Sequence, residues 1–522
     1  MTAGLVDSST HAAPAPVPTP SPLRLEPASA FETVRRFLRD AGYEEKEVTR
    51  RLDIESLDRF RALRDGRPAT PLADAHDALV RLFLDNEPLP WSDVRALIPA
   101  AALEAIASLG LLRDHRTDPS RVVANVLLYP TESLFIASDV AATPDGGGAQ
   151  WWDLVYAAIT SNTRTFMSKM PRSHCAAFLD LCAGTGVAAL SAAATFADEA
   201  WAIDLTDRST EFARFNARLN GIDNVTAMSG DLYAPVEGMT FDRIVAHPPY
   251  VPSRETTLVY RDGGADGEDV TRRIIAGLPD YLRPGGSFHC TCTATDRTNA
   301  PLEQRLRTML GDRAAEFDIA VVVTHDFNPT EYYVRLAIAG RNTWAEAEAW
   351  HHHFTALDVT KMVYSSVSIV RHAHAHEPFT VRRRAGTRTR ASEVADLIHA
   401  AEVSATPGAL ERLLECRPVL PTHVALESKH VREDGAWAVQ TAMLSTTVPF
   451  DVRLPCPPEM IAVIGQMDGT RTVRELYGDL SASGSLADTA SIDRLASFIH
   501  ILASHGLVEL QHPDVNRDTS LS

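Results

Sequence analysis

Residues 151–340 alternate apolar, strand-like runs with amphipathic, helix-like ones, and nothing else in the chain narrows its fold as far. CAAFLDLCAG reads as a buried strand, VAALSAAATF as a helix, EAWAIDL as a strand, and RSTEFARFNARLNG as a helix ending in a glycine stop. NVTAMSGDLY and FDRIVAHPPY then read as strands, RRIIAGLPDYLRPGG as a helix and turn, and SFHCTCTA as a strand. Alternation at this spacing predicts an α/β fold, a parallel sheet with helices on both faces. Ligands bind such sheets beyond the C-terminal ends of the strands, so the residues at those ends are the candidates for chemistry.

A chain of 522 residues is too long for one ordinary core, and two or three domains are expected. Residues 1–25, rich in Ala, Pro, Ser and Thr, read as a disordered leader without the basic start and apolar core of a signal peptide. Residues 26–115 read as a helical, winged-helix-like module, with Phe31, Val34, Phe37 and Leu38 at helical spacing and further amphipathic stretches over 79–84 and 94–112. Residues 116–150 read as two short strands broken at Tyr129-Pro130, followed by a flexible link of Asp145 and three glycines. The nucleotide-fold domain is placed at 151–345 and an α+β region at 346–522. No long Pro/Gly/Ser linker separates the parts, so the flanking regions are expected to cover the acceptor pocket. The last stretch reads as two helices and a small wing, faintly similar to PqqD-type peptide-binding modules.

Lys and Arg number 50 and Asp and Glu 68, a formal charge of −18. Phosphate neutralisation needs a basic face, so this balance counts against nucleic acid and favours a neutral or cationic small acceptor. The dense basic run Arg382, Arg383, Arg384, Arg388 and Arg390 reads as a solvated face. The six cysteines form no C-x-x-C pair and read as buried free thiols of a reducing cytoplasm, with Cys290 and Cys292 on one strand face. No run of eighteen apolar residues suggests a membrane span. His351, His352 and His353 are consecutive and splay apart. His372, His374 and His376 alternate and share one strand face, but a metal site needs ligands from more than one element, so no metal is expected. The oligomeric state is open.

Four motifs carry chemistry. In FLDLCAGTGVAAL a strand containing Asp180 runs through Gly184 and Gly186 into a helix, a turn where glycine allows positive φ and close approach of a ligand. Asp204 ends the next strand, placed to accept ribose hydroxyls. Asp231 and Leu232 follow the strand after that, placed for an adenine amine and ring. His247-Pro248-Pro249-Tyr250 follows the fourth. Two prolines fix φ and remove donors, which leaves rigid carbonyls. An imidazole nitrogen and a phenol ring beside them suit a planar nitrogen nucleophile.

On these motifs residues 178–286 resemble the class I, Rossmann-like S-adenosylmethionine-dependent methyltransferases with an (N/D/S)-P-P-(Y/F/W) motif. They are most similar to the HemK-type release-factor glutamine methyltransferases, whose GG-x-DG-x-x-x-x-R-x-I stretch resembles DGGADGEDVTRRIIAGLPDYLRPGG here. The resemblance implies S-adenosylmethionine as cofactor, with Asp180, Ala183, Gly184 and Gly186 at its methionine end, Asp204 and Leu205 at the ribose, and Asp231 and Leu232 at the adenine. It implies that His247, Pro248 and Tyr250 hold the acceptor nitrogen, His247 also bordering the cofactor. The family has Asn where His247 stands. Imidazole offers one donor and one acceptor on opposite edges and titrates near neutral pH, which puts a glutamine amide in doubt. The plan is also similar to actinobacterial free-arginine N-methyltransferases, which implies a guanidino acceptor from specialised metabolism. A cationic guanidine needs carboxylates, and Glu255, Asp262, Asp266, Glu268, Asp269 and Glu331 are the candidates, Glu331 on a late strand. Three readings follow: a small-molecule N-methyltransferase, a protein glutamine methyltransferase, and a nucleic-acid N-methyltransferase or cofactor-binding regulator.

Overall fold

The computed structural model describes residues 20–59, 71–140, 145, 152–255, 257–374, 376–406, 408–433, 435–486 and 491–511. Most of the leader and the glycines after Asp145 lie outside the described residues. Residues 20–25 are described, and they correct the leader's expected boundary. Arg24 donates its N–H to the Leu109 carbonyl at 3.1 Å, and Leu23 and Leu25 pack on the core. Apolar residues between prolines gain a surface to bury that the local sequence does not contain.

The N-terminal part opens with helix α1 (Ala28–Asp40), whose Phe31, Val34, Phe37 and Leu38 are buried. A small antiparallel sheet follows, from strands β1 (Leu89–Pro90), β2 (Leu112–Asp114) and β3 (Arg121–Ala124) in the order β1-β3-β2. Next comes a hairpin of β4 (Val126–Thr131) and β5 (Leu134–Asp139). The expected break at Tyr129-Pro130 is not there. Pro130 lies within β4 opposite Phe135, and the chain turns at Glu132 and Ser133, both at positive φ. Proline is tolerated in a strand that pairs on one side only.

The middle of the chain is built from α2 (Ser161–Lys169), β6 (Cys175–Leu181), α3 (Val187–Thr195), β7 (Ala197–Asp204), α4 (Asp207–Asn220), β8 (Val225–Ser229), β9 (Phe241–Ala246), α5 (Asp269–Tyr281) and β10 (Leu282–Arg297). After β11 (Phe317–Phe327) a helical hairpin, α6 (Pro329–Ile338) and α7 (Trp344–Ala356), leads to β12 (Val359–Arg371). These strands lie in the order β8-β7-β6-β9-β10-β12-β11. All are parallel except β12, which runs antiparallel to both neighbours. The domain boundary expected at 345 is therefore misplaced, because β12 sits between β10 and β11 in the same sheet. The sequence pattern shows a strand there, but pairing across the α6–α7 hairpin is long-range and leaves no local trace. Glu331 is also corrected. It lies on α6, not on a strand, because Asn328 caps the helix by accepting the Glu331 N–H at 3.2 Å and Pro329 takes the first helical position.

The sheet does not stop at β11. Strand β13 (Thr380–Ala385) joins it in parallel, and β17 (Phe450–Cys456), β16 (Ala436–Thr446) and β15 (Ala425–Glu433) extend it to eleven strands. Strand alternation puts Ile319, Val321 and Val323 of β11 in the core beneath the middle domain, and Ala320 and Val322 in the core of the C-terminal region. On the far side of the middle domain the N-terminal helices share one core with α3 and α4. Phe31 meets Phe215 edge-on at 5.2 Å, and Arg208 of α4 forms a buried ion pair with Asp139 at 2.6 Å. The basic run is divided: Arg388 and Arg390 are exposed, and the other three have partners. Arg382 pairs with Asp296 and Glu303, Arg384 pairs with Asp326, and Arg383 donates to the Ser504 carbonyl. No helix among the described residues is long and apolar enough to cross a membrane.

Candidate functional site

A cavity of about 510 Å³ opens at the C-terminal ends of β6, β7 and β9, and both the glycine turn and the HPPY turn line it. The parallel strands bring them together. Asp180 of β6 and Val245 of β9 are register partners, so the residues that follow each strand emerge side by side.

The two glycines of the turn have different reasons to be glycine. Both have positive φ, +53° at Gly184 and +78° at Gly186. A Cβ on Gly186 would stand 2.9 Å from the Cβ of Ala213, so this position lets α3 and α4 close on each other. A Cβ on Gly184 would meet nothing within 4 Å. At Gly184 the bare backbone faces the cavity, a cradle that a ligand can approach.

Asp180, Ala183, Asp204, Leu205, Asp231 and Leu232 all line the cavity with the two proline-flanking residues His247 and Tyr250. Asp180 accepts the Ala189 N–H at 3.2 Å, and burial raises its carboxyl to about 8. A cationic group placed beside it would recover the charge. Asp204 accepts the Gly184 N–H at 2.9 Å and the Thr206 N–H at 3.2 Å, so it holds the turn as well as facing the cavity. Burial raises its pKa, partly offset by those two N–H groups. Asp231 is paired with Arg273 at 2.6 Å. Leu205 is 54% exposed at the rim, an apolar surface for a ligand to cover. Donors, acids and an open backbone arranged in this order fit an adenosyl group with a cationic methionine end.

His247 is enclosed on the acceptor side. Its ring stacks on Phe166 of α2 at 5.3 Å and 17°, and Phe166 stacks in turn on His289 at 5.6 Å. Burial pushes the His247 imidazole down to about 4, so the ring is neutral at physiological pH, where the sequence alone suggested titration near neutrality. Its Nε2 is buried and has no hydrogen-bond partner among the described residues. Tyr250 accepts a hydrogen bond from Asn162 Nδ2 at 2.7 Å, and burial raises its phenol so that it stays protonated. Asn162 and Phe166 are one helical turn apart on α2. Sequence reasoning missed both, although their i, i+4 spacing places them on one face. Tyr156 and Tyr260 stack at 4.9 Å and also border the cavity.

The DGGADGED loop is a clamp for this turn. Val251 donates to the Arg261 carbonyl, Gly263 to Val251 and Ser253 to Gly264, at 2.8–2.9 Å. A Cβ on Gly263 would lie 2.6 Å from the Pro249 carbonyl oxygen. The expected acidic residues mostly serve the same clamp. Asp262 accepts the Thr257 and Leu258 N–H groups, Asp266 pairs with Arg272 and Arg297, Glu268 pairs with Arg305, and Asp269 pairs with Arg272. Of them, only Asp262 borders the cavity. Glu255 is exposed outside it, and Glu331 is exposed and faces Arg335 at 3.7 Å. Both are corrected as acceptor-binding candidates, since loop and helix turn them to solvent.

Residues 155–313 match the model of the Methyltransferase small domain family. Ribosomal protein uL3 glutamine methyltransferase from Bradyrhizobium diazoefficiens is 38% identical over 125 residues, 22% of this chain and 39% of that protein. Release factor glutamine methyltransferase from Geobacter sulfurreducens is 32% identical over 125 residues, 22% of this chain and 44% of that protein. The chain thus spans about two fifths of the length of these curated relatives. A solved structure of ribosomal protein L11 methylase from Lactobacillus delbrueckii subsp. bulgaricus covers 38% of this chain and 71% of its own, at 19% identity and a TM-score of 0.22.

Proposed function

We propose, from the premise that residues 155–313 match the Methyltransferase small domain family, that the protein transfers a methyl group from S-adenosylmethionine to a planar nitrogen, the side-chain amide of a protein glutamine. The observation that carries the reading is the buried, neutral His247, which lines the same cavity as the glycine turn and whose Nε2 has no hydrogen-bond partner among the described residues. S-adenosylmethionine supplies an electrophilic methyl group on a sulfonium. Asp180, Gly184, Asp204, Asp231 and Leu232 are the residues that would hold it.

The chain's own groups then act on the acceptor. A neutral imidazole nitrogen accepts one amide N–H, and an adjacent proline carbonyl, held in place by the fixed φ of the two prolines, accepts the other. The Phe166 stack and the Asn162 hydrogen bond fix His247 and Tyr250, so the acceptor is oriented for in-line attack. An imidazole with a pKa near 4 is a poor base at neutral pH. Its part is to orient the nitrogen. Methylation of an amide and of a guanidinium each releases one proton, which passes to water, so the choice between them rests on the groups around the cavity. The acids expected to serve a guanidinium, Glu255 and Glu331, face solvent, and the curated relatives are named for glutamine. Both points favour the glutamine reading over the small-molecule acceptor and free arginine.

The test is incubation of the purified chain with methyl-labelled S-adenosylmethionine and, in parallel, free arginine, glutamine-containing peptides, and a bacterial extract containing ribosomal proteins and release factors. Label recovered as N-methylglutamine after proteolysis supports the proposal. Label in free arginine alone overturns it.

A further inference from the structure

Asp318, His372 and His376 meet at the end of the sheet opposite the cavity, where β11 starts and β12 stops. Asp318 is the second residue of β11 and pairs with Val370 of the antiparallel β12, so the chain leaving β12 passes over the start of β11. His372 Nε2 comes within 3.0 Å of Asp318 Oδ1, and His376 Nε2 within 2.7 Å of Oδ2. The three donor atoms lie within 4.8 Å of one another. The two imidazoles stack with centroids 3.7 Å apart. The side chains of Asp318 and His372 are 4% and 6% exposed.

Two details point to a ligand between these groups. His372 Nε2 is buried and, despite its closeness to Asp318, makes no hydrogen bond among the described residues. His376 Nδ1 lies 3.1 Å from the His374 carbonyl, which orients the ring, and its Nε2 hydrogen-bonds to Asp318 Oδ2 at 2.7 Å, a proton that a bound cation would displace. The Phe379 N–H donates to Asp318 Oδ1 at 3.0 Å and orients it. The nearby Arg307 is directed elsewhere, to the carbonyls of Ala314, Phe317 and Phe379. Sequence alone argued against a metal because alternating histidines come from one segment. The fold supplies the missing second element in Asp318.

We propose that Asp318, His372 and His376 bind one zinc ion. Two imidazoles and one carboxylate suit a borderline divalent cation, whereas calcium and magnesium need more oxygens. Zinc–ligand distances of about 2.0–2.2 Å put neighbouring donors about 3.3 Å apart in a tetrahedron. The two His–Asp spacings, 3.0 and 2.7 Å, open toward that value, and the stacked imidazoles turn so that their in-plane lone pairs converge on the ion. The ion lies away from the methyl-transfer cavity, with water in the fourth position, and its part is to tie the two strand ends together. It joins the end of β12 to the start of β11 beside Phe379, whose carbonyl accepts the Ile319 N–H at 3.1 Å. That is where the sheet passes into β13 and the C-terminal extension.

The experiment uses the full chain without an affinity tag, stripped with chelator and titrated with zinc chloride by calorimetry and with cobalt chloride by visible absorption. One tight equivalent is expected, with d–d bands in the cobalt form and a zinc-dependent rise in the thermal midpoint. Asp318→Asn and His372→Gln should each weaken binding at least hundredfold and abolish the thermal shift. His352→Ala, in the exposed histidine run, should change neither. Should Asp318→Asn fail to fold, His376→Gln replaces it. No stoichiometric binding by the parent chain, or binding kept in the Asp318 and His372 variants, would overturn the proposal and leave the cluster as a proton-sharing triad only.

Discussion

At the scale of single residues, burial shifts His247 and Asp180 in opposite directions, with different consequences for pH dependence. His247 is depressed to about 4 by burial, so turnover should be flat from pH 6 to 8 with respect to this residue and fall only as pH drops through about 4–5. A pH–rate profile at saturating cofactor checks this. A fall centred near 6.5 would place the ring in a more solvated setting. His247→Ala leaves the acceptor N–H unpaired, worth about 1–3 kcal/mol or about 5–150-fold in turnover, with cofactor affinity unchanged. His247→Asn restores an acceptor and should stay within about tenfold of the parent on a glutamine peptide. Asp180 is raised to about 8, so it carries a proton at neutral pH in the free protein. Binding a cationic methionine end should expel that proton. Affinity for S-adenosylmethionine should therefore rise between pH 6 and 8, and calorimetry in buffers of different ionisation enthalpy should register proton release. Asp180→Asn should bind weakly and without pH dependence over the same window.

At the scale of elements, the strand-to-helix turn separates binding from stability at two glycines. Gly184→Ala incurs only the left-handed backbone strain of about 1–2 kcal/mol, and its methyl group enters open cavity. Cofactor affinity should drop more than tenfold while the thermal midpoint moves little. Gly186→Ala adds to the same strain a contact of 2.9 Å with Ala213, and overpacking adds about 1–3 kcal/mol. Here the thermal midpoint should fall by several degrees, with binding impaired as a consequence. Paired melting and calorimetry on the two variants distinguishes the roles, and equal behaviour would contradict them.

At the scale of the whole molecule, the flanking regions are part of the same packed body as the middle domain. The Asp139–Arg208 pair is almost fully buried between the β4–β5 hairpin and α4. Removing one partner strands the other charge, at about 3–5 kcal/mol. Arg208→Met should lower the denaturation midpoint markedly, and Asp139→Asn with Arg208→Met should recover part of the loss. A fragment of residues 152–371 should be insoluble or unable to bind cofactor, because Phe212 and Phe215 of α4 and Ala320 and Val322 of β11 would lose their cover. A soluble fragment with full cofactor affinity would show instead that the flanking cores are dispensable.

The alternation of strands and helices, the glycine turn, the strand-end acids and the HPPY turn were legible in the sequence because each is a local pattern with a local cause. Period-2 and period-3.6 burial, positive φ at glycine and fixed φ at proline act within a few residues. Asp180, Gly184, Asp204, Asp231, His247 and Tyr250 accordingly meet at one cavity. The insertion of β12 between β10 and β11, the continuation of the sheet into the C-terminal region and the shared N-terminal core depend on contacts between residues far apart in the chain, which no local pattern records. The same holds for Phe166 and Asn162 behind the HPPY turn, for the outward turn of Glu255 and Glu331, and for the meeting of Asp318 with His372 and His376. The neutral state of His247 belongs with them. Its residue type implies a group that titrates near neutrality, and only the tertiary structure, by stacking it on Phe166 and removing water, moves it out of that range.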